Sequence, residues 1–253
     1  MAIKTEEELL FRKIEAKIQK AIWEYDLIAD GDRILIGLSG GKDSLALVDL
    51  LGRRQKIFRP KFEVVVAHII MENIPYNADL DYLRGCAEEH NLPFVVHKTS
   101  FDPTTDKRKS PCFLCSWTRR KALFDIAKQY KCNKIALGHH QDDLLQTLLM
   151  NMTFQGAFGT MPPRLKMDKF DMTLIRPLCL VEEKELIRIA EWKGYKKLLK
   201  NCPHESTSSR PDLKGVLARL EEINPHASYH FWGSMAPFPN DYFPRIFVLY
   251  CKL

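Results

Sequence analysis

Three groups of residues in this 253-residue chain have the types and spacing for chemistry. The first, Ser39-Gly40-Gly41-Lys42-Asp43-Ser44, follows the apolar run from Arg33 to Gly37 and precedes a helical pattern from Ser44 to Leu51. Two glycines allow close backbone approach, a helix N-terminus aims unpaired N–H groups outward, and Ser39 and Ser44 add hydroxyls. Such a loop binds an anion, and phosphate is the expected guest. It is not a Walker A loop, because Gly41-Lys42 is followed by Asp43 and no glycine stands at the required upstream position. The G-x-G-x-x-G dinucleotide pattern is absent too.

The second group is Gly138-His139-His140-Gln141-Asp142-Asp143, at another predicted strand-to-helix junction. Two carboxylates beside a polyphosphate need a cation between them, and magnesium held partly by substrate oxygens is the usual solution. The same aspartates would also serve as helix N-cap residues. The third group is Cys112-Phe113-Leu114-Cys115 with Cys202-Pro203-His204 downstream. Spacing alone leaves several chemistries open: a zinc site of Cys112, Cys115, Cys202 and His204, a three-cysteine [4Fe-4S] cluster with one open iron, or ordinary thiols.

The elements that must position these groups follow from apolar periodicity. Leu10, Ile14, Ile18, Ile22 and Tyr25 form a helical stripe between Glu6 and Asp26, and Phe62 to Ile70 is a buried parallel-type strand. His68, near the carboxyl end of that strand, is expected either to flank an adenine or to sit in the core with one hydrogen bond. A helix over 77–90, a strand over 94–97, a polar loop to Pro111, a helix over 112–130 and a strand over 134–137 complete an alternation that predicts an α/β doubly wound parallel sheet covered on both faces. Pro177 predicts that the extended segment 174–178 is an edge or a connector. Helices over 182–193 and 211–222 and an irregular tail from Ala236 follow. The expected division is an N-terminal helix (1–30), a nucleotide-binding domain carrying the Cys112–Cys115 helix (31–180) and a small, mostly helical C-terminal extension (181–253).

A net charge of +6 suits a polyanionic partner. Seven irregularly spaced cysteines argue against a disulfide framework, and Cys86, Cys132, Cys179 and Cys251 fit apolar core patterns. No stretch has transmembrane length and the N-terminus is unlike a secretory signal, so a cytoplasmic protein without membrane attachment is expected.

The loop at 39–44 resembles the S-G-G-x-D-S loop of the PP-loop ATP pyrophosphatases, which grip the β,γ-pyrophosphate of ATP and transfer AMP to an acceptor oxygen. From about Arg33 to Met235 the chain is similar to the TtcA-type tRNA 2-thiocytidine synthetases. The likeness runs through C-x-x-C opening a helix with Arg119-Arg120, L-G-H-H-x-D-D, L-x-N-M, M-P-P-R-L and I-R-P-L. It departs at Gln146, where the family commonly has Glu, and in having a single cysteine, Cys202, in the C-terminal motif. The resemblance implies the adenine nucleotide alpha hydrolase-like fold, ATP and Mg2+ as cofactors, and a [4Fe-4S] cluster on Cys112, Cys115 and Cys202. Ser39, Gly40, Gly41, Lys42, Asp43, Ser44, His68, Gly138, His139, Asp142 and Asp143 would surround the nucleotide, with Asp43 and Asp143 positioning magnesium. The implied reaction adenylates the C2 oxygen of a tRNA anticodon-loop cytidine and replaces it with sulfur from sulfide or a cysteine desulfurase. A homodimer is also implied. Rival readings are uridine thiolation, amine addition by a lysidine-type enzyme, and a zinc-stabilised ATP- and RNA-binding protein. RNA phosphates would meet Lys107, Arg108, Lys109, Arg119, Arg120, Lys121 and the lysines at 193, 196, 197 and 200.

Overall fold

The computed structural model describes residues 5–57, 59–74, 78–102, 104, 110–168, 170–196 and 210–235. Cys202, His204, Lys107, Arg108, Lys109, Lys197, Lys200 and the tail from Ala236, Cys251 included, lie outside the described residues.

Six strands form one sheet: β1 (Asp32–Gly37), β2 (Phe62–Met71), β3 (Phe94–Thr99), β4 (Lys134–Ala136), β5 (Arg164–Lys166) and β6 (Thr173–Ile175), in the order β3-β2-β1-β4-β6-β5. All neighbours are parallel except β5 and β6. The order reverses between β1 and β4, whose register pairs Leu35 with Ile135. In such a sheet, ligands bind outside the strands' carboxyl ends where the order reverses.

Strand alternation divides the core in two. Ile34, Ile36, Val64 and Val66 face a layer of α1 (Glu6–Glu24), α2 (Lys42–Arg54), α3 (Leu80–Glu88) and α6 (Glu183–Trp192). Leu35, Val65, Ala67 and Ile135 face α4 (Pro111–Gln129), whose Ala122, Leu123, Ile126 and Ala127 are buried against them. α4 is the long crossover that carries the chain from the edge strand β3 past β2 and β1 to β4, so its first turn lies at the sheet's carboxyl edge. α5 (Gln141–Gln155) follows β4, and α7 (Arg210–Ile223) and α8 (Ala227–Ser234) pack on it. The predicted α1 stripe is buried at Ile14, Ile18 and Ile22, and Lys17 ties the helix to Glu185 of α6 at 2.6 Å.

One expectation needs correction. The segment at Leu174 and Ile175 is not an edge: β6 is inserted between β4 and β5, and Pro177 falls just past its end, where no ladder donor is needed. The edge is β5, antiparallel to β6. α8 carries no apolar stripe, only Ala227 being buried, so periodicity gave it no signal.

No helix among the described residues is long and apolar enough to cross a membrane.

Candidate active site

β1 delivers the chain into the first loop in an orientation set by backbone pairing. Leu38 N–H donates to the Ala67 carbonyl at 2.8 Å, and Gly40 turns the chain with φ +83°, a left-handed conformation that glycine adopts without strain. Ser44 then closes the loop on itself: its hydroxyl donates to the Gly41 carbonyl at 2.9 Å, and its Oγ lies 3.0 Å from the Ser39 hydroxyl. The Gly41 N–H donates to Ser39 Oγ at 3.3 Å, but glycine at the N-cap has no side chain to accept from the helix, so the leading N–H groups of α2 are left for something other than this helix's own cap.

The second loop packs directly on the first. A Cβ on Gly138 would lie 3.2 Å from the backbone carbon of Asp43 and 3.2 Å from the amide nitrogen of Ser44, so a side chain there would press the two turns apart. Sequence topology predicted this meeting, and the fold makes it.

At the start of α5 the polar groups are mutually engaged. His140 is buried, and its backbone N–H donates to Asp143 Oδ2 at 3.2 Å. Burial opposes a charge on its imidazole, but Asp142, Asp143 and Asp43 outweigh that and raise its pKa. Asp142 accepts the Glu183 N–H at 2.7 Å; burial works against its charge, yet His140 and that amide lower its pKa. Asp142 thereby tethers the start of α6 to the start of α5, and Gln141 N–H donating to Val181 O at 2.9 Å doubles the tie.

Lys42 points its ammonium at carboxylates: Asp43 Oδ1 at 3.1 Å and Glu183 Oε1 at 3.2 Å. Burial would lower its pKa, but those two charges raise it. Glu183 also receives Lys214 of α7 at 2.6 Å. Neither Glu183 nor Lys214 was visible in any motif, since they stand about 140 and 170 residues from the loop.

His68 is fully buried with Nδ1 2.7 Å from the Leu38 carbonyl. Burial lowers its pKa, assisted by the charge of Arg119, so the ring is neutral near pH 7 and Nδ1 carries the proton that the carbonyl accepts. Nε2 is then a buried acceptor with no hydrogen-bond partner among the described residues. Both expectations for His68 are compatible with this geometry.

Cys112 and Cys115 stand in the first turns of α4, which Ser110 caps by accepting the Phe113 N–H at 3.2 Å. Their i,i+3 spacing puts both thiols on one helix face, both half-buried and in no disulfide. By contrast Cys132 and Cys179 are buried, and burial pushes their thiols up to about 11 and about 12. No three His, Cys, Asp or Glu side chains among the described residues converge on a point that could hold a metal ion.

Two of the lysines expected at RNA phosphates are ion-paired within the chain. Lys193 is an anchor: it pairs with buried Asp49 at 3.0 Å, and Tyr195 adds a hydroxyl to the same carboxylate at 3.2 Å. Lys196 pairs with Asp79 at 3.0 Å. Together they fasten the chain leaving α6 to α2 and the start of α3. Arg176 of the I-R-P-L segment is buried and clasps the Pro162 carbonyl, and burial lowers its pKa to about 10. Arg120 and Lys121 remain at the surface of α4, with exposed Phe113 and Trp117 beside them.

Known proteins are similar to this chain over most of its length. A tRNA-cytidine(32) 2-sulfurtransferase of Citrifermentans bemidjiense is 36% identical over 227 residues, covering 87% of this chain and 88% of the relative. One from Geobacter sulfurreducens is 35% identical, covering 87% of each. Among solved structures, the U34-tRNA thiolase NcsA from Methanococcus maripaludis, with its [4Fe-4S] cluster, superposes with a TM-score of 0.75 at 27% identity over 90% of this chain and 78% of that one. The PP-loop domain profile matches residues 10–201, and with relatives this similar across most of their length, the chain belongs to the PP-loop family, among the tRNA-cytidine(32) 2-sulfurtransferases.

Proposed function

We propose that this chain uses ATP to exchange the C2 oxygen of a tRNA cytidine for sulfur. The observation that carries the reading is the contact at Gly138, which presses a carboxylate-bearing turn onto an uncapped glycine loop at the point where the sheet order reverses. Ser39, Gly40, Gly41 and Ser44 hold the β- and γ-phosphates, and Lys42 balances their charge. Asp43 and Asp143 are the residues that would hold a magnesium ion, which would neutralise the charge of the polyphosphate.

In the first step the C2 oxygen attacks the α-phosphorus and the bond to pyrophosphate breaks, leaving an adenylated base. The loop contributes placement and charge neutralisation. In the second, a hydrosulfide-class nucleophile attacks C2, loses its proton, and AMP departs with the original oxygen. Cys112 and Cys115, with Cys202, are the residues that would hold a [4Fe-4S] cluster, and two free, half-buried thiols on one face of the first turns of α4 fit that group. When bound, the cluster would supply the sulfur-delivering chemistry. Exposed Phe113 and Trp117 offer stacking faces to unpaired bases and Arg120 and Lys121 offer phosphate contacts. Sulfide or a cysteine desulfurase is the sulfur source we expect, in the cytoplasm where tRNA is found, with the protein as a homodimer.

Mass spectrometry of tRNA nucleosides from a deletion strain tests the reading: 2-thiocytidine disappears and returns with the intact gene. Unchanged thionucleosides would refute it. Anaerobically purified protein should contain iron and acid-labile sulfide, lost in Cys112→Ser and Cys115→Ser with ATP binding retained. Zinc in their place would instead favour a structural metal.

A further inference from the structure

The cation closest to the phosphate loop is already shared. Lys42 Nζ lies 3.1 Å from Asp43 and 3.2 Å from Glu183, and the second oxygen of Glu183 is 2.6 Å from Lys214. Glu183 is fixed from behind, because its own amide is bonded to Asp142 at 2.7 Å and its helix is tied to α5. It cannot follow Lys42 far. An ammonium that turns toward phosphate must therefore give up part of its bond to Glu183.

We propose that Glu183 is a positioning residue for Lys42, competing with the β- and γ-phosphates of the nucleotide for its ammonium and so setting the affinity for polyphosphate. Lys214 is the other half of the device. A partly buried carboxylate abandoned by its only cation costs heavily. Because Lys214 stays on the second oxygen, Lys42 can leave without stranding Glu183. Lys214 stands on α7, downstream of the segment that carries Cys202, so the strength of nucleotide binding is coupled to the placement of the C-terminal extension. The inference rests on reading the loop at 39–44 as the polyphosphate site.

Calorimetric titration of the full chain with ATP, pyrophosphate and AMP tests it. Glu183→Gln keeps the shape and the backbone tie to Asp142, and should bind ATP and pyrophosphate about five-fold more tightly than wild type. AMP, lacking the β- and γ-phosphates, should not change. Lys214→Met should weaken ATP about three-fold, and that loss should vanish in the Glu183→Gln background. The decisive comparison is made in Lys42→Met, where Glu183→Gln should bring no gain. An equal gain there would mean that Glu183 merely adds negative charge near the phosphates, and would overturn the proposal. Unchanged or weaker binding by Glu183→Gln, at an unaltered melting temperature, would overturn it as well. Wild-type protein that binds neither ATP nor pyrophosphate would instead sink the reading of the loop on which the proposal stands.

Discussion

The junctions β1–α2 and β4–α5 both run from a parallel strand through a glycine into a helix rich in apolar residues, and they touch at Gly138. Their helix N-termini are finished in opposite ways. That of α2 has no side-chain cap, and its flanking hydroxyls bond only within the loop. At α5, Asp143 accepts the amide of His140, and Asp142 is spent on the amide of Glu183. One junction has no side-chain cap on its leading N–H groups, while the other closes its own start with Asp143 and spends Asp142 on holding α6 in place.

Substitutions can break this contrast. The largest effect is expected where the junctions meet: Gly138→Val forces side-chain atoms against the backbone of Asp43 and Ser44, costing about 3 kcal/mol of stability and abolishing ATP binding, by thermal denaturation and calorimetry. Next is the far end of α2, where Asp49 gathers Arg53, His90, Lys193 and Tyr195. Asp49→Asn should cost about 2 kcal/mol near pH 7. Burial opposes the Asp49 charge, but Lys193 and Arg53 outweigh it and lower its pKa below the ordinary value. Its stabilisation is therefore fully present above the ordinary carboxylate range and is lost as pH falls through the depressed folded-state value. The stability gap between wild type and Asp49→Asn should narrow on acidification; a gap independent of pH would show that the ion pairs contribute nothing.

Asp142→Ala sharpens the contrast from the closed junction. It should lower stability by about 1.5 kcal/mol through the lost bond to Glu183, with a smaller effect on ATP than on the melting temperature. Ser39→Ala is its mirror at the open junction: within about 0.5 kcal/mol in stability, since the side chain is exposed, but about ten-fold weaker for ATP. Should Ser39→Ala unfold the protein, or Asp142→Ala abolish ATP binding without destabilising, the assignment of roles would be reversed.

The elements on which the site stands were legible where local pattern and burial agree. β2 is a continuous β-branched run buried on both faces, and α1 shows its stripe at every turn. β6 was legible as an extended segment but not its interior place in the sheet, because Pro177 suggested an edge; β5 was not legible, since its partner is known only once the chain has folded back on β6. Lys193 and Lys196 looked like free surface charges, since a lysine's partner is invisible until the chain folds back; Asp49 and Asp79 are more than a hundred residues away.

The sequence by itself determined the local form of the first loop. Two glycines, two serines and an aspartate at a strand-to-helix turn act through their own backbone and immediate neighbours. It also determined that Cys112 and Cys115 share one helix face, which follows from helical periodicity alone. Only the tertiary structure decided that Asp142 is a tether, that His68 presents Nε2 as a buried acceptor, and that Lys42 is shared with Glu183 and, through it, with Lys214. Such contacts join residues from distant parts of the chain, and their strength comes from burial and a fixed backbone, neither of which a residue's type or spacing records.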